Sequence, residues 1–464
     1  MLVSLTKCMH VFWHQRDLRI PDNRGLTAAA ADDEVLPVYV LDTDLLANIG
    51  KRQKAFMLAG VRALKQAYRD HGGELLVKKG TAVDVLSNVV DEYDADRVYY
   101  NEHYRPARRN RQRRVDEALP TKSLTDLVLV DPAGLDSQYE NHSRFYDDWQ
   151  AHHKLPPVGS PDSDSLVDVS DPTTAPTIET EMDLPTPGYE GARQRYDDFL
   201  TGGIETYNDT RDDMQAAVER PTSAVSRMSP YLAAGMIGIR EMWRDASDRH
   251  TEATGDAQRN IQKYRYELSW REQSYHLLYY NPTLLSENYK TFPNRIEWEN
   301  DEDNFEAWKH GETGYPFIDA GMRQLEQEGY IHNRPRQNVA SFLTKHLLVD
   351  WREGARHFRK RLVDHDPANN AASWQWTAST GTDSVDVRIF DPVAQMSKYD
   401  SGADYVTEYV PELRGVPSTK IVDWPTLSDG EREELAPDYY HPIVDRNAAY
   451  ERAQRVFETA LGKR

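Results

Sequence analysis

HVFWH (His10–His14), VLPVYVL (Val35–Leu41), ELLV (Glu74–Val77), RVYY (Arg97–Tyr100) and LVLV (Leu127–Val130) are five short apolar runs near the start of the chain. Each has the character of a strand buried on both faces. Lys51–Asp70 and Thr81–Tyr93, lying between them, carry apolar residues at helical spacing. This alternation predicts a doubly wound, five-stranded parallel sheet over residues 9–135, an α/β domain. No Gly-x-Gly-x-x-Gly follows the first run, so a dinucleotide-binding turn is not expected there. The first strand starts at Met9, which is itself a candidate initiator.

Outward from that block the composition changes. Residues 136–190 are rich in Pro, Ser, Thr and Asp (PVGSPDSDS, DPTTAPTIETEMDLPTPG), and read as a connector wrapped over the surface without helical or strand period. Residues 191–464 read almost wholly helical, with Trp and Tyr dense among the apolar positions. The second domain is therefore expected to be all-α and large enough to bury a sizeable cofactor. No internal repeat is visible.

The 464 residues are 39% apolar and 28% charged, as in soluble globular proteins. No stretch approaches the ~20 apolar residues of a membrane span, and Met1 to Cys8 are too few and too polar for a signal peptide. A single cysteine, Cys8, leaves no internal disulfide, iron–sulfur cluster or zinc ribbon. No metal site is expected, and a cytoplasmic monomer is. The net charge is −20, and of the 56 basic residues only 16 are lysine. Such a surface resembles that of halophilic proteins, where charge maintains solubility in strong salt. An acidic protein repels nucleic acid overall, so any nucleic-acid function must rest on a local cluster of cations.

Three motifs stand out: W-x-x-R-D-L-R-x-x-D-N at Trp13–Asn23, S-R-x-S-P-Y-L-A at Ser226–Ala233, and E-L-x-W-R at Glu267–Arg271. A fourth, dense segment runs from Trp308 to Pro392 and includes GYIHNRPRQNVASF and DHDPANNAASWQWTASTGTDSVDVRIFDP. In this order the motifs resemble the cryptochrome/photolyase family, most closely its class I cyclobutane pyrimidine dimer branch of haloarchaeal type. The resemblance spans nearly the whole chain. It implies an α/β antenna domain joined by a long connector to a helical FAD-binding domain.

Residue chemistry and resemblance then combine. The hydroxyls of Ser226 and Ser229 precede an apolar run, where they suit a helix N-cap or a phosphate. The resemblance implies that Tyr207, Ser226, Arg227, Met228 and Ser229 hold the FAD pyrophosphate. It places an Arg336–Asp364 ion pair and Asp366 beside the flavin ring, and Asn370 facing flavin N5. Glu267, Trp270 and Arg271 share one helix face at i, i+3 and i+4. Alone they read as a surface ion pair beside a core tryptophan. By resemblance Glu267 and Trp270, with Asn333 and Trp376, hold an extruded pyrimidine dimer, for which a carboxylate and an indole plane are suited. The family's phosphate-binding arginines fall on Arg211, Arg271, Arg334 and Arg388. Trp374, Trp351 and Trp298 match its electron-transfer chain, although a chain with ten tryptophans, eight of them in the helical domain, also suits plain core packing.

Some positions depart from the pattern. Gln337 stands where a Met is usual, and RQNVASF (Arg336–Phe342) resembles the DASH branch, which favours single-stranded DNA. Trp376 instead keeps the photolyase aromatic. The loop GTDSVDVRIF (Gly381–Phe390) is one residue short. His332–Asn333 lacks the paired histidines of (6-4) photolyases. Arg105–Arg114 (RPARRNRQRR) reads as a solvated helix face, although Asn101–Arg114 also resembles the region that binds 8-hydroxy-5-deazaflavin; a methenyltetrahydrofolate antenna and an empty site are the alternatives. The expected function is light-driven splitting of cyclobutane pyrimidine dimers in DNA by reduced FAD, a carbon–carbon lyase reaction. The alternative is a cryptochrome-type blue-light photoreceptor.

Overall fold

The computed structural model describes residues 9–382 and 387–463. The segment ahead of Met9 and four residues of the GTDSVDVRIF loop lie outside the described residues, as do the expectations that fall on them. Strands β1 (Met9–His14), β2 (Glu34–Leu41), β3 (Leu76–Lys79), β4 (Arg97–Asn101) and β5 (Thr121–Leu124) form one parallel sheet in the order β3-β2-β1-β4-β5. Side chains alternate across β1. Phe12 enters a core that continues into the helical half through Tyr196 and Tyr264. Val11 and Trp13 pack on the other face with Leu86 and Val115. Both faces are covered, so the strands read as continuous apolar runs.

The helices Lys51–Asp70 and Ala82–Tyr93 form where the periodicity places them. The fifth strand does not. It is the mixed run TKSL, whereas LVLV is drawn off the sheet into the junction with the helical half. There the Leu129 and Val130 N–H groups donate to the buried Glu272 carboxylate, and Val128 packs with Tyr104 and Tyr275. An edge strand needs only one apolar side, and a buried loop can be as apolar as a strand.

The connector holds more structure than its composition suggests. His142–Ala151 is a helix capped by the Asn141 side chain, and it buries Phe145 and Trp149. Leu166 adds a parallel bridge to Val35 of β2, and the next helix, Gly188–Gly202, starts three residues before the expected domain edge at 191.

The Trp13–Asn23 motif joins the two halves. Arg19 and Arg240 both bind Asp126, at 2.6 and 2.5 Å, and Arg240 also binds Asp22 at 2.9 Å, with every partner at most 3% exposed. Asn23 caps the helix Arg24–Asp32, and Arg16 reaches Asp366 across the junction. Buried charges survive only when paired and fully hydrogen-bonded, so these contacts fix the orientation of the two halves. Among the described residues no helix is long and apolar enough to cross a membrane.

Candidate active site

The helical half encloses a cleft of about 1180 Å³, its open mouth included. The enclosed part of that space, about 340 Å³, falls within the ~300–1,000 Å³ of ordinary small-molecule pockets. One wall is the long helix Gly255–Tyr280, which contributes Tyr264, Glu267, Leu268 and Arg271. The opposite wall comes from Asn333 and Arg336, in the helix Asn333–Ser341. Asp364 and Asp366 precede the helix Pro367–Ala378, which itself presents Asn370.

Polar groups in the cleft are anchored from behind. Ser229 Oγ donates to Asp364 Oδ2 at 2.6 Å, and Arg336 Nη2 donates to the same oxygen at 3.3 Å. Arg336 Nε and Asp364 Oδ1 are buried with no partner among the described residues. Such orphaned groups cost free energy unless something enters to satisfy them, and a donor beside an acceptor suits the polar edge of a flavin. Asp366 accepts hydrogen bonds from Arg16, the Tyr275 hydroxyl and the Asn369 N–H. Burial alone would raise its carboxyl pKa, but Arg16 and these hydrogen bonds hold it well below the usual carboxylate range. Asn370 Nδ2 donates to the Ala355 carbonyl at 3.1 Å, which leaves its carbonyl oxygen as an acceptor for whatever fills the cleft.

Comparison with known proteins fits this geometry. Residues 10–162 match the family described as DNA photolyase, and residues 264–459 match the FAD binding domain of DNA photolyase. A Halobacterium salinarum protein named deoxyribodipyrimidine photo-lyase is 41% identical, over 98% of this chain and 100% of its own. The chain belongs to the DNA photolyase family. A class III photolyase from Agrobacterium tumefaciens superposes with a TM-score of 0.89 at 33% identity, covering all of both chains. An archaeal photolyase from Sulfolobus tokodaii, described with two FAD molecules, gives 0.82 at 30% identity over 97% of this chain and 100% of its own.

In this photolyase-family chain the expected cofactor residues converge, with one exception. Tyr207, Ser226, Met228, Ser229, Arg336, Asp364, Asp366 and Asn370 all line the cleft. Arg227 does not: at a left-handed φ of 49° its guanidinium turns to Glu328, 2.7 Å away, and lies over Tyr330. The N-cap expected of the serines is also absent. Met228 takes that position, no side chain caps the short helix Ser229–Ala234, and the Ser229 hydroxyl serves Asp364 instead.

The residues expected to hold a lesion divide. Glu267 and Asn333 line the cleft. Trp270 lies beside it, stacked on His142 of the connector helix with ring centroids 3.6 Å apart and planes 5° apart. Trp376 lies under the Arg388 guanidinium, 3.6 Å from the ring centroid. His142 was not legible as a site residue. Hydrogen bonds to Tyr266 and Ser269 fix its ring, and burial lowers its pKa to about 3, so it stacks as a neutral imidazole.

The arginines are placed unequally. Arg211 and Arg334 sit together at the mouth, joined through Asp212. Arg271, expected as a phosphate ligand, instead donates to the Leu127 carbonyl at 3.0 Å and pairs with buried Glu272 at 3.3 Å. Its guanidinium serves the junction between the halves.

Trp374 is 2% exposed and lies one turn beyond Asn370 in a helix, as the spacing requires. Its ring rests on Gly354, one turn beyond Trp351 in the helix Trp351–Arg361. Trp351 is fully buried and donates its indole N–H to Asn288; Trp298 packs on the same core, part-exposed. Trp374 and Trp351 are thus buried, and Trp298 is the one of the three that reaches solvent. A fourth, Trp308, stands edge-on to Trp374 at 6.2 Å and was not singled out from sequence.

The run Arg105–Arg114 is a solvated face only in part. Arg109, Arg113 and Arg114 are exposed, but Arg108 is 4% exposed and Arg111 pairs with Asp42 at 3.0 Å. Arg108, Arg105, Arg16 and Arg359 line a crevice between the two halves that has no carboxylate in its lining. Burial and the neighbouring arginines push the Arg108 pKa down to about 9.

Proposed function

We propose that this chain is a deoxyribodipyrimidine photo-lyase, splitting cyclobutane pyrimidine dimers in DNA under light with reduced FAD in the cleft. The observation that carries the reading is one cleft lined both by flavin-suited groups, Arg336, Asp364 and Asn370, and by the candidate lesion residues Glu267 and Asn333. When bound, reduced and light-excited FAD supplies the electron that opens the cyclobutane ring and takes it back afterwards.

The protein's own residues prepare that event. Arg336 and Asp364 would orient a flavin ring through their unmet hydrogen bonds, and the Asn370 carbonyl oxygen would accept a hydrogen bond from the ring without placing a charge there. A dimer is poorly stacked already, so its extrusion costs less than that of a normal base pair. Glu267 hydrogen-bonds the extruded pyrimidines, and Trp270 and Trp376 offer them the aromatic faces that His142 and Arg388 leave free, each worth about 1–3 kcal/mol per base. Arg211 and Arg334 hold the flanking phosphates, a local cationic site that answers the net charge of −20. Trp374, Trp351 and Trp298 relay an electron inward when the flavin is oxidised. The carboxylate-free crevice at Arg105 and Arg108 would hold an acidic second chromophore, 8-hydroxy-5-deazaflavin or methenyltetrahydrofolate.

The test is light-driven repair of a thymine-dimer oligonucleotide, single- and double-stranded, by the photoreduced flavoprotein. Repair of both forms is expected. Repair of single strands alone would move the chain to DASH-like specificity. Intact dimers after clean photoreduction would overturn the enzyme reading in favour of a photoreceptor.

A further inference from the structure

Asp212 is an acid on a surface that must receive phosphates. Its Oδ1 accepts from Arg334 Nε at 2.7 Å and from Arg211 Nε at 3.2 Å, and its Oδ2 accepts from Arg334 Nη2. Arg211 Nη1 in turn binds Glu267, which also meets Lys263 at 2.7 Å. At the other end Arg334 Nη1 donates to Gln337 at 3.2 Å, and its guanidinium lies 4.8 Å from the Tyr399 ring centroid. Along the mouth the charges therefore alternate: Lys263, Glu267, Arg211, Asp212, Arg334. Three cations face two carboxylates.

We propose that Asp212 is a positioning residue: it fixes the guanidinium planes of Arg211 and Arg334 and limits the positive charge that the cleft mouth offers to undamaged DNA. This rests on reading the cleft mouth as the DNA interface. The geometry supports both roles. A carboxylate that takes two donors of the Arg334 fork leaves the rest of the fork in a fixed direction. Because Asp212 bridges arginines from two separate elements, it also sets their spacing. Each phosphate that replaces it as a partner must compete with a charge already in place. Undamaged duplex, which offers phosphates alone, loses most by that competition. Dimer-containing DNA gains its remaining affinity from Glu267 and Asn333.

The experiment compares wild type with Asp212→Asn, both carrying FAD, for binding of duplexes with and without one thymine dimer over a range of KCl. For undamaged duplex the slope of log K against log salt steepens by about 0.9, the equivalent of one further phosphate neutralised. The variant's preference for the dimer-containing duplex falls, and Asp212→Glu restores both the slope and the preference. A slope equal to that of wild type overturns the proposal, as does an equal loss of preference in both variants. Should Asp212→Asn fail to retain FAD, Asp212→Ser supplies the same comparison. A wild-type protein that shows no preference for the dimer overturns the DNA-cleft reading itself, whereas a preference with an unchanged slope in the variant defeats only the role of Asp212.

Discussion

Gly354→Ala should impair photoreduction far more than repair. A Cβ at position 354 would lie 2.2 Å from Trp374 Cη2 and 2.6 Å from both Trp374 Cζ3 and Leu343 Cδ2. Carbon contacts settle at about 3.5–4.0 Å, so the indole must withdraw by about 1.5 Å. It is held by Phe358 at 5.0 Å and Trp308 at 6.2 Å, so it cannot withdraw without moving its neighbours. Overpacking of this kind costs about 1–3 kcal/mol, and the better helix propensity of Ala returns about 1 kcal/mol. The net loss is small. With unfolding entropy of about 2.1 cal/mol/K per residue, a chain of this size melts only about 1–2 °C lower. The functional effect is larger, because misplacing a reacting group by about 1 Å can cost up to a hundredfold in rate. The assay is the rate of light-driven flavin reduction with an external thiol, set beside dimer repair by chemically reduced enzyme. Photoreduction should slow several-fold while repair by pre-reduced enzyme stays close to wild type. Wild-type photoreduction in the Ala variant would refute the placement of Trp374 against the Trp351 helix.

Three further outcomes follow from the geometry. Arg240→Leu strands Asp22 at the junction and leaves Asp126 with Arg19 alone, and losing one partner of a buried pair costs about 3–5 kcal/mol; scanning calorimetry should show a lower melting temperature, or the two halves unfolding separately. Asp364→Asn removes the charge shared by Ser229 and Arg336, so FAD affinity, measured by flavin fluorescence, should fall about 10- to 100-fold, as for loss of a charge-assisted hydrogen bond. Burial raises the Asp400 pKa to about 7, against hydrogen bonds from the Tyr405 and Val406 N–H groups. A raised folded-state value means that the native state binds this proton more tightly than the unfolded chain does. Its stabilisation is complete below the unfolded value of about 4 and is lost as pH rises to about 7, a change of the order of 4 kcal/mol. Asp400→Asn should flatten that decline in chemical denaturation; an equal decline in wild type and variant would contradict it.

What the sequence disclosed depended on the kind of signal. Periodicity was sufficient for Lys51–Asp70, where buried positions recur at helical spacing, and for β1, β2 and β4, covered on both faces. It failed at Leu127–Val130, whose apolar character serves the Glu272 junction and not the sheet, and at His142–Ala151, a helix set in Pro- and Ser-rich surroundings. Motif resemblance placed Glu267, Asn333, Arg336 and Asn370 in one cleft, since residue identity within a long motif carries position. It could not foresee where flexible side chains end. Arg227 and Arg271 sit at expected positions on the backbone, but Glu328 and Glu272, to which the resemblance assigns no role, capture their guanidinium groups. His142 reaches Trp270 from far along the chain, a contact that only the folded connector creates. The arginines of the helix Pro106–Ala118 were misjudged in the same way: its mixed faces hide that Arg108 points into the junction.

The most direct measurement compares photoreduced wild type with Glu267→Ala, both holding FAD, on the same dimer-containing DNA under illumination, counting the pyrimidines restored. Wild type should restore them at every illumination time, while the variant, having lost the hydrogen-bonding carboxylate at the mouth, restores them many-fold more slowly. Equal restoration by the two proteins, or none by wild type, would contradict a repair site built around Glu267.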